Sequence, residues 1–142
     1  MRTMLGSALI VAVSLWAAGG TGQQPKEGKV AEEEAQVIEV TAKKYEFNPS
    51  EIRVKRGTQV RLKLRAIDRT HGFKIERQPE GENKNGPPGL RFSSPQETWK
   101  LEKDQERVIE FFAERPGTYH YKCAVFCGFG HRGMKGKLIV EE

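Results

Sequence analysis

From Val37 onward, apolar and polar residues alternate with period two, the mark of strands buried on one side. The clearest stretch runs from Glu51 to Arg65. Ile52, Val54, Val60, Leu62 and Leu64 fall on one side, and Arg53, Lys55, Arg61, Lys63 and Arg65 on the other. Gly57 interrupts the run and is expected to mark a hairpin turn. One face of the predicted sheet then packs on a core, and the other is a basic, solvated surface. Further strands are expected at 37–42, 71–76, 107–113, 117–122 and 136–140, separated by turn signals at Asn48-Pro49, Pro116-Gly117 and Gly133 to Gly136. No long amphipathic helix competes. Many short strands with turn punctuation predict an all-β sandwich or small barrel. Residues 78–98 carry Gly81, Gly86, Pro87, Pro88, Gly89 and Pro95 and read as a loop insertion, a kind of segment that is functional or disordered more often than neutral.

The amino-terminal part has a different pattern. Arg2 precedes an uncharged, mostly apolar run from Met4 to Ala18, and small residues follow at Ala17, Ala18, Gly19 and Gly20. This order matches a secretory signal peptide. A retained membrane anchor is the competing reading, although Gly, Thr and Gln fill the second half of the uncharged stretch. Residues 1–22 are therefore expected to be a signal peptide or membrane anchor, and 23–36 a polar linker. Residues 37–142 are expected to form a single domain, as the 142-residue length suggests. Either reading puts that domain outside the cytoplasm, in the periplasm or secreted, with the N-terminus offering a route to membrane association. The formal charge of +5 suits acidic partners or anionic surfaces, and export argues against nucleic acid.

The chemistry is concentrated between Cys123 and Met134, which reads C-A-V-F-C-G-F-G-H-R-G-M. The chain's two cysteines lie here, with His131 and Met134; all are soft or borderline ligands that select copper, zinc or an iron–sulfur cluster. Gly128, Gly130 and Gly133 argue against a helix and for a compact loop that wraps a small object such as a metal ion. Strand-like Thr118 to Tyr121 precedes it. Two alternatives stay open. A disulfide is the default for two exported cysteines, but it would close a very short loop and leave His131 and Met134 unexplained. A zinc site of Cys123, Cys127, His131 and His71 would leave Met134 idle.

The motif C-x3-C-x3-H-x2-M at the end of a β domain resembles the CuA domain of heme–copper oxidase subunit II, particularly forms with one membrane span. The upstream Asp68-Arg69-Thr70-His71-Gly72-Phe73 adds to the resemblance, as do Arg115-Pro116-Gly117-Thr118-Tyr119 and Phe47-x-Pro49 with Ile52-x-Val54 and Gly57. It extends from Val37 to Glu142, interrupted by 78–98. It implies a cupredoxin-like Greek-key β-sandwich and a metal site with two copper ions. Cys123 and Cys127 would bridge both ions. His71 and Met134 would complete one, and His131 and the Val125 backbone carbonyl the other. It also implies a c-type cytochrome as donor and an oxidase or reductase as acceptor. Many relatives carry Glu at the Val125 position; a carbonyl ligand is indifferent to that change. At most one membrane helix is expected where larger subunits carry a pair, and the basic charge departs from the acidic surface that many such domains offer to cytochromes.

Other residues take plainer readings. His120 should face away from the side shared by Tyr119, Tyr121 and Cys123. Asp68 suits either ordering of the His71 loop or an ordinary turn. Trp99 and Phe92 read as core or loop anchors rather than an electron-entry patch. Phe126 and Phe129 flank the ligands and are expected to exclude water. No catalytic acid–base pair is evident, so the isolated chain is not expected to be an enzyme, although it fits a subunit of a cytochrome c oxidase. Three functions compete: a two-copper electron carrier, a copper-handling or thiol-redox protein, and a mononuclear cupredoxin.

Overall fold

The computed structural model describes residues 34–142. The expected signal or anchor segment at 1–22, and the linker as far as residue 33, lie outside the described residues. Ten strands follow: β1 Gln36–Lys43, β2 Glu46–Asn48, β3 Glu51–Lys55, β4 Gln59–Ala66, β5 His71–Ile75, β6 Leu90–Phe92, β7 Trp99–Leu101, β8 Glu106–Ala113, β9 Gly117–Lys122 and β10 Lys135–Glu141. They form two five-stranded sheets, ordered β2-β1-β4-β8-β6 and β3-β10-β9-β5-β7. The pairs β1–β4 and β3–β10 are parallel and the others antiparallel. Among the described residues no helix is long and apolar enough to cross a membrane.

Alternation becomes burial as expected: Ile52, Val54, Val60, Leu62 and Leu64 are all buried. The expected hairpin at Gly57 is corrected. β3 and β4 belong to different sheets, and Gly57, at φ +82°, carries the chain from one to the other. Arg56 N–H donates to the Glu141 carbonyl (2.7 Å) in the second sheet, and Gly57 N–H to the Ala113 carbonyl (2.8 Å) in the first. Both strands turn their apolar side to the same interior, so period two cannot tell one sheet from two.

The core between the sheets is rich in aromatic side chains. Phe47, Phe73 and Tyr121 pack with ring centroids 5.3–5.7 Å apart. Trp99 and Phe92 extend the cluster to Phe111, with the Phe92 and Phe111 centroids 5.3 Å apart. Three short strands, β2, β6 and β7, lie where none was expected, and β6 falls inside the 78–98 segment. That segment is tied down: Gly89 N–H donates to the Arg77 carbonyl (2.7 Å), and Gly89 and Leu90 are buried. A side chain at Gly89 would run into Tyr119, whose hydroxyl donates to the Arg115 carbonyl at 2.7 Å.

Candidate metal centre

The centre forms where two strands part. β5 pairs with β9 only through Lys74↔Lys122 and Ile75↔Tyr121, while its first half pairs with β7. Beyond Lys122, β9 ends and Cys123 opens the loop, leaving His71 and Gly72 to face that loop. Gly72 N–H, released from the ladder, donates to Cys123 Sγ at 3.4 Å. Gly72 is there for space: a Cβ would lie 2.6 Å from the Val125 nitrogen and 2.7 Å from its side chain. Cys123 N–H donates to the Met134 carbonyl (2.9 Å), so the two ends of the loop are joined by backbone.

Inside, the donor atoms converge. Cys123 and Cys127 are free and buried, with sulfurs 3.5 Å apart. One metal-binding atom from each of His71, Cys123 and Cys127 lies within 4.8 Å of the others. Cys127 Sγ is 4.0 Å from the Met134 thioether, and the Cys123 thiol donates to the Val125 carbonyl at 3.0 Å. Met134 is fully buried. His131 begins a single 3₁₀ turn, His131–Gly133, and stands outside the 4.8 Å group. Its ring centroid lies 6.1 Å from that of Phe126.

Unmet hydrogen-bonding capacity points to a missing ligand. The Nδ1 atoms of both His71 and His131 are buried without a partner, and buried polar atoms seldom stay unpaired. His71 Nε2 is 2.6 Å from Asp68 Oδ1, so a proton on Nε2 leaves the Nδ1 lone pair free for a metal. The ordering role weighed for Asp68 is therefore realised. Burial works against its carboxylate, but hydrogen bonds from His71, Lys44 N–H and Arg69 N–H hold it below the usual range. Burial pushes the Cys127 thiol up to about 11, and Cys123 adds to the shift through hydrogen bonding and charge. Such a thiol keeps its proton at neutral pH unless a metal displaces it. The residues present suit a soft or borderline metal ion.

Two supporting side chains carry no local sequence signal. Arg69 donates to the Cys127 carbonyl at 3.0 Å. Tyr45 packs so closely on Gly128 and Gly130 that a Cβ at either would overlap its ring. Gly128, at φ +130°, is also in a backbone region that favours glycine. His120 is exposed, 3.3 Å from Glu80, while Tyr119, Tyr121 and Cys123 point inward. Trp99 is a core residue. The water-excluding role expected of Phe126 and Phe129 is corrected: they are 72% and 101% exposed and project outward. Gly128 and Gly130, on either side of Phe129, turn the loop backbone, and Tyr45 covers it instead.

The cupredoxin-like domain family matches residues 7–140. Cytochrome c oxidase subunit 2 of Thermus thermophilus is 28% identical over 105 residues, which cover 74% of this chain and 65% of the relative. Nitrous-oxide reductase of Cupriavidus necator is 30% identical over 125 residues, covering 84% of this chain and 17% of the relative. This chain thus spans 65% of the length of the first relative and a small part of the second. Among solved structures, a heme-copper terminal oxidase dimer aligns with TM-score 0.56 and 27% identity over 85% of this chain and 76% of the other. The chain belongs to the cupredoxin-like domain family, a copper electron-transfer fold, and is related to cytochrome c oxidase subunit II.

Proposed function

We propose that this chain holds a two-copper CuA-type centre and relays single electrons outside the cytoplasm. The donor would be a c-type cytochrome, and the acceptor an oxidase or reductase. The observation that carries this reading is the pair of unbonded, buried sulfurs 3.5 Å apart beside an unpartnered His71 Nδ1. A disulfide needs its sulfurs at about 2.05 Å. Cys123 and Cys127 would bridge, His71 and Met134 would complete one side, and His131 and the Val125 carbonyl the other. When bound, such a centre would take up and give back one electron at a time with little rearrangement of the residues that hold it.

The chain's own residues do the rest. Asp68 orients His71 and selects its tautomer. Gly72 N–H donates to the Cys123 sulfur, and Arg69 anchors the Cys127 carbonyl. The buried core beneath and the backbone bond from Cys123 to Met134 hold the ligands while charge moves. The extracytoplasmic setting rests on the expected leader.

A mononuclear copper site is the second reading. One observation favours it: His71, Cys123 and Cys127 already bring three donor atoms within 4.8 Å of one another, a set that a single ion could take. Copper reconstitution with metal analysis, optical and EPR spectra separates the two. Two coppers per chain with a purple, mixed-valence signal are expected; one copper with a blue or red spectrum would establish the second reading. Cys123→Ser or Cys127→Ser should abolish the two-copper signal. An unchanged spectrum in Cys127→Ser would refute bridging.

A further inference from the structure

Beside the metal loop, three lysines stand in one cross-strand row. Lys74 of β5 is opposite Lys122 of β9, which is opposite Lys135 of β10. Side chains in direct register share a face, and like charges so placed destabilise a sheet. Among the described residues Lys122 and Lys135 have no ion-pair partner, and Lys74 has only the exposed Glu97, 3.8 Å away. A solvated sheet face does not require this, as the same molecule demonstrates. On the other sheet, register sets Glu39 opposite Lys63, Arg61 opposite Glu110 and Arg65 opposite Glu106. The Arg61–Glu110 pair closes to 2.6 Å. Even in the second sheet, Lys137 lies opposite Glu51 and pairs with it at 3.0 Å. Charge is balanced across strands except in the row touching the centre.

The row's position has a chemical sense. Lys122 precedes Cys123, and Lys135 follows Met134. The lysines line an open groove of about 970 Å³, walled by the 78–82 segment. Carboxylates on that wall are already engaged: Glu80 by His120 and Glu82 by Arg115. A row across three strands is roughly 10 Å long, too spread to enclose a small anion. Its recess behind the wall does not suit a flat bilayer. It does suit carboxylates projecting from a protein surface.

We propose that the Lys74–Lys122–Lys135 row is the docking surface for the acidic face of a protein redox partner. This deepens the electron-carrier reading and rests on it. The row would steer the partner to within one residue of Cys123 and Met134, so that the place of tightest electrostatic contact is also the place of electron exchange.

The test uses the full copper-loaded chain with a small acidic c-type cytochrome, a basic one of similar size, and phosphatidylglycerol vesicles. Binding is mapped by amide NMR shifts, and electron transfer is followed separately by stopped flow. The acidic cytochrome should shift the amides around Lys74, Lys122 and Lys135. Its association rate should fall about tenfold or more from low to high salt. Lys74→Glu with Lys122→Glu and Lys135→Glu should remove that binding, and the corresponding Gln variants should weaken it. Lys63→Glu, on the opposite sheet, should leave it unchanged. Mapped binding without electron transfer would uphold the docking surface and remove the carrier reading. Electron transfer that ignores all three lysines, or binding of vesicles but not of the acidic cytochrome, would overturn the docking surface.

Discussion

Cys127 is buried, and without a metal its thiol holds its proton up to about pH 11, against 9.0 for an ordinary thiol. A folded-state value raised in this way favours folding fully below the unfolded value, and the benefit disappears as pH rises through the folded one. The metal-free protein should therefore lose stability between about pH 9 and 11, measured by chemical denaturation, with a shallower loss in Cys127→Ala. Metal binding reverses the preference, because ligation requires thiolates. Copper uptake should release protons in weakly buffered solution, and apparent affinity should fall as pH is lowered. Asp68→Ala removes the group that orients His71, and should weaken copper binding about 10–100-fold in a competition titration. Met134→Leu keeps the apolar volume but removes the thioether. It should leave the copper content per chain unchanged and shift the reduction potential, as voltammetry would record.

The elements matter through where they stop pairing. β5 serves β7 with its first half and β9 with its second, and the gap that opens is occupied by His71, Gly72 and the Cys123 loop. Gly72→Ala would press on the Val125 and Ala124 backbone. Thermal denaturation should show a loss of about 1–3 kcal/mol, with altered copper spectra because the displaced segment carries proposed ligands. Tyr121 lies under the same gap, and its hydroxyl donates to the Pro49 carbonyl at 2.9 Å. Tyr121→Phe should cost about 0.5–1.5 kcal/mol without changing metal stoichiometry.

For the molecule as a whole, the two sheets make a stiff base and the metal loop sits at its edge. Phe111 is fully buried in the first sheet, away from the ligands. Phe111→Ala should destabilise the fold by about 3–5 kcal/mol in denaturant titration, yet leave copper stoichiometry intact at temperatures where the protein stays folded. The surface is equally divided in purpose. Balanced cross-strand charge covers one sheet, while lysine concentrates beside the centre on the other, so altered salt should act more on partner association than on stability.

The amino-acid sequence by itself determined which side of each long strand is apolar, because alternation follows from the pleat and needs no partner. It also placed two thiols, a carbonyl, an imidazole and a thioether in one short loop, where spacing keeps them near each other in any compact fold. Tertiary structure alone decided which strands share a sheet, since inward-facing residues look alike from either side of a sandwich; hence the misread turn at Gly57. It located β2, β6 and β7, each of three residues, too few to show a period. It turned Phe126 and Phe129 outward and brought distant Tyr45 over the loop in their place. It brought Asp68 to His71 as an orienting group, a role that the turn preference of Asp had left undecided. Register across β5, β9 and β10 made three separate lysines into one row. Apart from the Asp68–His71 contact, which spans three residues, each depends on contacts between residues far apart in the chain, and no local pattern encodes those.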